Sequence, residues 1–495
     1  MIKKIFKKVL RFKKNRYSMR RNFSKVATGN GVAFIITLVA TPIVTRLYSP
    51  EALGLAAVFA SILAIISVLA CMRYEMAILL PDNKKETINL LVVCLCFSIL
   101  TALFTLPFIW VFGKALSSSM NIETLAPLLW LLPIGILADG IFSALNFWNT
   151  RNKRFTIIAV TQVTGQTVNA ATVLVAGTVG AVSGASMILG ALFAKIISVM
   201  ILGKSLILQS RELFRLITLK DVTNVLIRYK KFPVYGSWSI LLSVAAWQLP
   251  ILLLGVFFSS AVVGFYALGY RILQLPMSLV GNSLQQVFFQ RAIVAKNEKH
   301  LPQLVNSLFD KVVAVSLFPM LMLSMIGGDL FTVFFGEKWK QAGIYTQILS
   351  LWAFFWFLSG PFTKLFAVLE KQEIQLKWNI LNFTIRLLSI LVGAYFQSAI
   401  LTVVLLGISG TFIYAYKVFI TLKIANASIM LAVISLVKHF LIFAPAGLCI
   451  FFISLITEHS LLVLAITVLF CCLYYFYIFK KLFPKNNYIS KKKEL

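Results

Sequence analysis

Charge is scarce in this sequence, and negative charge is scarcer still. Only 13% of the 495 residues are charged while 60% are apolar, and 16 acidic residues stand against 47 lysines and arginines. A soluble domain is nearer a quarter charged and half apolar. A chain this poor in charge, with a mean hydropathy of +0.90, must have lipid as the solvent for most of its length. Hydrophilic stretches long enough to fold into a soluble catalytic domain are missing too, so no such domain is expected on either side of a membrane. Histidine is nearly absent, at three residues, and cysteine is limited to six. Cys71, Cys94, Cys96, Cys449, Cys471 and Cys472 lie in or beside apolar runs. The Cys94–Cys96 and Cys471–Cys472 pairs have no histidine or second cysteine pair at ligand spacing. They read as small apolar packing residues, and no metal site or cofactor is expected. No G-x-x-x-x-G-K-[ST] phosphate loop is present, which argues against ATP hydrolysis by this chain.

What the sequence does have is a series of apolar runs of helix length. In lipid the backbone must satisfy its own hydrogen bonds, and runs of about 20 residues do so as helices. Fourteen spans are placed at 26–47, 52–72, 88–112, 125–148, 155–178, 184–208, 233–257, 261–286, 311–335, 345–369, 379–396, 399–422, 430–456 and 461–483. The Lys-rich start, Met1 to Lys25, is too long and too basic for an ordinary signal peptide, and the run after it reads as a retained first helix.

The basic residues support this placement. With both termini in the cytoplasm, the cytoplasmic segments and their flanking helix ends hold 39 of the 47 lysines and arginines, and the outward loops hold only Arg46, Lys114, Lys338 and Lys340. That is the positive-inside pattern rather than a nucleic-acid-binding surface. The expected organisation is a basic tail at 1–25, six spans over 26–208, a basic linker at 209–232, six spans over 233–424, two further spans over 425–483 and a basic tail at 484–495. The two six-span halves carry a weak repeat. Pro42 precedes a short outward turn and Gly54; Pro250 precedes a similar turn and Gly264. An even number of spans per half relates the repeats by an axis normal to the membrane. The fold class is therefore an all-α integral membrane protein of about 14 helices, two six-helix bundles in a pseudo-twofold arrangement plus two C-terminal helices.

Several polar residues fall inside the spans, where a charge costs about 2.5–3.5 kcal/mol on insertion scales. Asp139, Lys195, Arg271 and Arg386 are the deep charges, and Lys364 lies nearer a cytoplasmic end. Around them, Arg271, Gln274, Ser278, Asn282 and Gln285 recur at helical spacing in the eighth span, Asn382 precedes Arg386 by one turn, Gln162, Gln166 and Asn169 share the fifth span, and Asn30 opens a polar face of the first. One polar face on each of several helices describes a water-filled cavity, though interhelical hydrogen bonding uses the same residue types. A surplus of cations in such a cavity suits an anionic ligand, because the guanidinium fork fits phosphate and amides fit sugar hydroxyls.

The stretch from Thr45, TRLYSPEALGLAAVFASILAIISVLACMRYEMAILLP, resembles the amino-terminal half of the polysaccharide transporters, the O-antigen (Wzx-type) oligosaccharide flippases of the multidrug/oligosaccharidyl-lipid/polysaccharide exporter superfamily. VGFYALGYRILQLPMSLVGNSLQQVFF from Val263 and FGEKWKQAGIYTQILSLW from Phe335 are similar to the second half. The resemblance implies two six-helix bundles around a cavity that opens alternately to either side. The implied cargo is an undecaprenyl-pyrophosphate-linked oligosaccharide for surface polysaccharide such as O-antigen. The implied location is the bacterial inner membrane, beside the polymerase and chain-length proteins of the pathway. Arg271, Arg386, Lys195 and Lys364 would hold the cargo's charge. Asp139 would bind a coupling proton or sodium ion, or act as counter-ion to a neighbouring cation. Arg73 and Glu75, in the RYE segment, would be a gate pair or a solvated helix end. A multidrug or peptidoglycan-precursor exporter of the same superfamily, or a polytopic oligosaccharide polymerase, are the alternatives. The first calls for an acidic cavity and the last for a large outward loop.

Overall fold

The computed structural model describes residues 27–120, 122–209, 217–277, 281–456 and 460–482. The two basic tails, Ser278 and part of the linker lie outside the described residues. Among the described residues the secondary structure is helical throughout. Twelve of these helices are long and apolar enough to cross a membrane. The expected fifth span has the length but carries Gln162, Gln166 and Asn169, and the expected eighth passes from α-helical to π-helical geometry at Met277. The chain gathers into two compact units, Met1–Gly264 and Phe265–Leu495.

The first unit holds α1 (Ala27–Leu47), α2 (Pro50–Ser67), the short α3 (Tyr74–Ala77), α4 (Lys84–Ser119), α5 (Leu125–Leu129), α6 (Leu132–Arg151), α7 (Phe155–Thr178), α8 (Gly184–Gln209), α9 (Leu219–Arg228) and α10 (Trp238–Phe257). Helix ends follow caps rather than hydropathy. The Ser49 hydroxyl accepts the Ala52 N–H and Pro50 fills the first turn, so α2 starts two residues before its expected boundary. The Asn83 side chain accepts the Lys85 N–H and starts α4 four residues early. With 36 residues, α4 is about 54 Å long, longer than the ~30 Å hydrocarbon core. At its other end α2 stops at Ser67, short of the expected 72, and the chain turns through left-handed Met72 (φ 47°) and Arg73 (φ 63°). The linker contains a real element, α9, whose Val225 is buried with Tyr74, Ile78 and Ile88 at one end of the unit.

α11 (Ser260–Pro276) begins as α2 does. The Ser259 hydroxyl accepts the Val262 N–H, as Ser49 accepts Ala52, and a glycine follows each serine by five residues. Those glycines meet: a Cβ on Gly54 would overlap the Ser260 carbonyl, and one on Gly264 would overlap the Pro50 carbonyl. The weak sequence repeat thus marks a place where two helix starts touch backbone to backbone.

The second unit continues with α12 (Asn282–Asn297), α13 (Leu301–Phe335), α14 (Lys340–Phe362), the short α15 (Leu365–Val368), α16 (Gln372–Tyr395), α17 (Ala399–Ile424), α18 (Ile429–Ile456) and α19 (Ser460–Leu482). Pro276 is the last α-helical residue of α11; Met277 follows in π-helical geometry, as does Gly281 just before α12, and residues 278–280 lie outside the described residues. Of the expected polar stripe, Arg271 and Gln274 lie on α11 and Asn282 and Gln285 on α12. Gly336, at φ 101°, ends α13 in a conformation that favours glycine. α13 packs on both α14 and the C-terminal pair α18–α19 through Ala314, Phe318, Met322, Ile326, Phe443 and Tyr474.

Candidate functional site

In the first unit the deep charges are paired. Lys195 Nζ on α8 lies 2.8 Å from Asp139 Oδ1 on α6, and the Ser67 hydroxyl donates to Asp139 Oδ2 at 2.9 Å from the end of α2. The ammonium also sits 4.5 Å from the centre of the Phe142 ring. The carboxylate thus meets the ammonium with one oxygen and Ser67 with the other. The polar residues of the α7 face belong to the same unit. The Thr37 hydroxyl on α1 donates to Gln166 Oε1 at 3.2 Å. The side-chain oxygens of Gln162 and Asn169 are buried without a hydrogen-bond partner among the described residues. Asn30 is exposed on the first turn of α1.

Arg73 and Glu75 form an ion pair, Nη1 to Oε1 at 3.3 Å, at the left-handed turn after α2. Glu75 is buried, and its other oxygen has no partner among the described residues. Burial raises its carboxyl above the ordinary range; a backbone hydrogen bond and the Arg73 charge act the other way. The solvated-helix-end reading fits poorly here, since the carboxylate is enclosed. On the same side, Lys85 Nζ lies 2.7 Å from Asp221 Oδ2 and Arg228 Nη1 lies 2.7 Å from Glu86 Oε1, pinning α9 across the start of α4. The hydrogen bonds from Lys85 and Thr218 hold the Asp221 carboxyl below its ordinary value.

The second unit places its cations among aromatic rings. Arg386 on α16 is 4% exposed, with its guanidinium 5.1 Å from the centre of the Trp352 ring. Trp352 and Trp356 stack at 5.6 Å, and Tyr270 stacks on both. Lys417 on α17 stands 4.2 Å over Trp378, itself edge-on to Tyr414. Lys417 is 6% exposed and forms no ion pair with a described residue. Asn382, one turn before Arg386, is buried with its side-chain oxygen lacking a partner among the described residues, and the Trp352 indole nitrogen likewise lacks one there. Arg271 and Gln274 are exposed on α11, and Lys364 is exposed at the turn after α14. Gln285 Nε2 donates to the Gly360 carbonyl at 2.9 Å. The side chain of Asn282 lies outside the described residues.

Two features escape sequence reading. Lys417 looks like the basic flank of a span, but α17 runs seven residues beyond it and buries it. Asp310 looks like a loop residue, but α13 begins at Leu301 and carries it to α18, where Ser435 Oγ donates to its Oδ1 at 2.7 Å and His439 Nε2 lies 3.4 Å away. The spacing of Ser435, Lys438 and His439 on one helix face is the only signal that could have pointed there.

A family profile described as "Polysaccharide biosynthesis protein" matches residues 43–344, more than half of the chain. The chain belongs to the polysaccharide biosynthesis protein family. It is similar to the teichuronic acid biosynthesis protein TuaB of Bacillus subtilis strain 168, 28% identical over 257 residues, which is 48% of this chain and 51% of that protein. The match therefore spans about half the length of that relative. Among solved structures it is similar to the lipid II flippase MurJ in an inward closed conformation, with a TM-score of 0.64 at 16% identity, covering 92% of this chain and 99% of that one. It is also similar to an inward-facing MATE-family multidrug resistance transporter, with a TM-score of 0.57 at 15% identity, covering 85% and 95%. These likenesses show the fold. This member of the polysaccharide biosynthesis family is a multi-pass helical membrane protein built on the architecture of those transporters.

Proposed function

We propose that this protein carries a polyprenyl-pyrophosphate-linked oligosaccharide from the cytoplasmic to the outer leaflet by alternating access, for assembly of a surface polysaccharide of O-antigen-like or related kind. The observation that carries the reading is the cation surplus within the spans of the second unit. Arg271 and Lys417 form no ion pair with described residues, and Arg386 is set against an indole face. Cations at that depth are costly and persist where a ligand uses them. A phosphate-bearing headgroup would satisfy guanidinium and ammonium donors, and the tryptophan faces and buried amides would receive sugar rings and hydroxyls.

Two names support the same reading, a teichuronic acid biosynthesis protein and a lipid II flippase. A multidrug cargo suits the site less well, because cationic drugs would face arginine and lysine. Arg271, Arg386, Lys195 and Lys364 are the headgroup residues in this proposal, with Lys417 added. Asn30, Gln162, Gln166, Asn169, Gln274, Asn282, Gln285 and Asn382 line the sugar path. The pairing of Asp139 with Lys195 makes a proton or sodium ion at Asp139 depend on breaking that pair. The proposed setting is a bacterial inner membrane with both termini cytoplasmic, in company with a polymerase and chain-length protein.

Deleting the gene and measuring lipid-linked oligosaccharide on each membrane face tests this. Accumulation on the cytoplasmic face, rescued by wild type but not by Arg386→Ala, supports the proposal. Normal outward delivery of single units with only chain length altered would instead make the protein a polymerase.

A further inference from the structure

We propose that Asp310 and His439 form a proton-binding site that governs how the C-terminal helix pair α18–α19 is held against α13. The seam between these helices is apolar along most of its length. Phe318 stacks on Tyr474 with ring centres 4.1 Å apart and meets Phe443 edge-on, while Ala314, Met322, Ile326, Ala446 and Ile450 fill the rest. Its one ion pair among the described residues lies at the end where α13 and α18 begin. His439 is 2% exposed and its Nε2 lies 3.4 Å from Asp310 Oδ1, while the Asp310 side chain remains 44% exposed. One partner is enclosed and the other is open at the surface of the helices, which leaves the carboxylate as the route by which a proton would arrive.

The surrounding groups make the imidazole the one that changes. From its own helix, Ser435 donates to Asp310, and Lys438 lies nearby. From α13 the neighbouring Lys311 is exposed and brings no acid. From α19, the phenols of Tyr474 and Tyr475 face the seam and donate to the Ala314 and Val315 carbonyls. Imidazole is the side chain that ordinarily changes charge near neutral pH. Protonated, it attracts Asp310 across the helix interface. Neutral, it loses that attraction and leaves Asp310 to Ser435 and Lys438. α18 is therefore held more firmly at acid pH and loosens as pH rises. A consequence for transport rests on the flippase reading; the proton site itself does not.

The chain has three histidines, His300, His439 and His459, so histidine-labelled full-length protein in nanodiscs gives a sparse NMR spectrum. Its His439 resonance, assigned by loss in His439→Gln, should move through one protonation step as pH is varied, and that step should change position in Asp310→Asn. A His439 resonance that does not titrate, or titrates identically in Asp310→Asn, overturns the site. Hydrogen exchange over residues 429–456, corrected for intrinsic rates, should show protection falling several-fold with rising pH in wild type and flat in His439→Gln. Equal profiles in the two proteins overturn the effect on packing. Neither readout measures transport, so failure of the flippase reading would leave both results interpretable.

Discussion

At the residue scale, the charges sort by whether a partner is within reach. Lys195 and Asp139 neutralise each other across α8 and α6 at 2.8 Å. Removing either alone leaves a charge in a poor solvent, whereas removing both leaves none. We expect Asp139→Asn and Lys195→Met each to lower the detergent melting temperature, and the double variant to lower it by less than the sum. Strict additivity in that cycle would show the pair to be energetically uncoupled. Glu75 gives a pH prediction. Its carboxyl is raised in the folded protein, chiefly by burial, so the folded state binds the proton more tightly than the unfolded chain. Stability contributed there is full below the ordinary glutamate range, about pH 4.3, and is lost as pH rises through the raised value. Glu75→Gln should therefore gain stability relative to wild type at neutral pH and lose that advantage in acid. Melting curves at both pH values check this; an advantage that grows in acid would contradict it. The deep arginines and Asp139 were legible in the sequence because each interrupts an apolar run. Lys417 was not, because a lysine seven residues from a helix end looks the same in sequence whether it snorkels or turns inward to Trp378.

At the element scale, composition placed the helices and capping placed their ends. Hydropathy marks where lipid begins, while helices start at the nearest cap, so Ser49 and Asn83 set boundaries that apolar runs do not show. The α-helical geometry of the expected eighth span gives way to π-helical geometry after Pro276, a change that polar spacing does not report because it does not register the missing N–H donor. α9 is not legible as a helix in the linker because its charged residues resemble a basic linker, and what holds it is distant in sequence: the apolar contact of Val225 with Tyr74, Ile78 and Ile88, and the ion pairs to α4, 136 and 142 residues away. The repeat-related glycines carry the clearest element-scale prediction. Gly54→Leu or Gly264→Leu must push α2 and the start of α11 apart, since the obstruction in each case is a backbone carbonyl. Overpacking of this kind costs about 1–3 kcal/mol. Chemical denaturation of either variant should show that loss, and Gly31→Leu, whose Cβ would meet open space, should not. Equal effects from all three would mean that the close approach does not matter.

At the scale of the whole molecule, fold class followed from the shortage of charge and the distribution of lysine and arginine. The likenesses to MurJ and to a MATE-family transporter agree with that class. The aromatic cluster that receives Arg386 and Lys417 was beyond the sequence, because Tyr270, Trp352, Trp356, Trp378 and Tyr414 come from four helices whose neighbourhood no spacing rule gives. The central claim is that these cations serve an anionic lipid-linked sugar. Purified protein reconstituted into liposomes that carry a polyprenyl-pyrophosphate-linked oligosaccharide in one leaflet tests it most directly, with an impermeant lectin or glycosidase reading the opposite leaflet. The account predicts rapid appearance of sugar on the far side with wild type, and a rate reduced at least tenfold by Arg386→Ala or Lys417→Gln, about 1.4 kcal/mol or more of lost stabilisation at the limiting step. Wild-type protein that leaves the sugar on its starting side, or variants that move it at the wild-type rate, would contradict it.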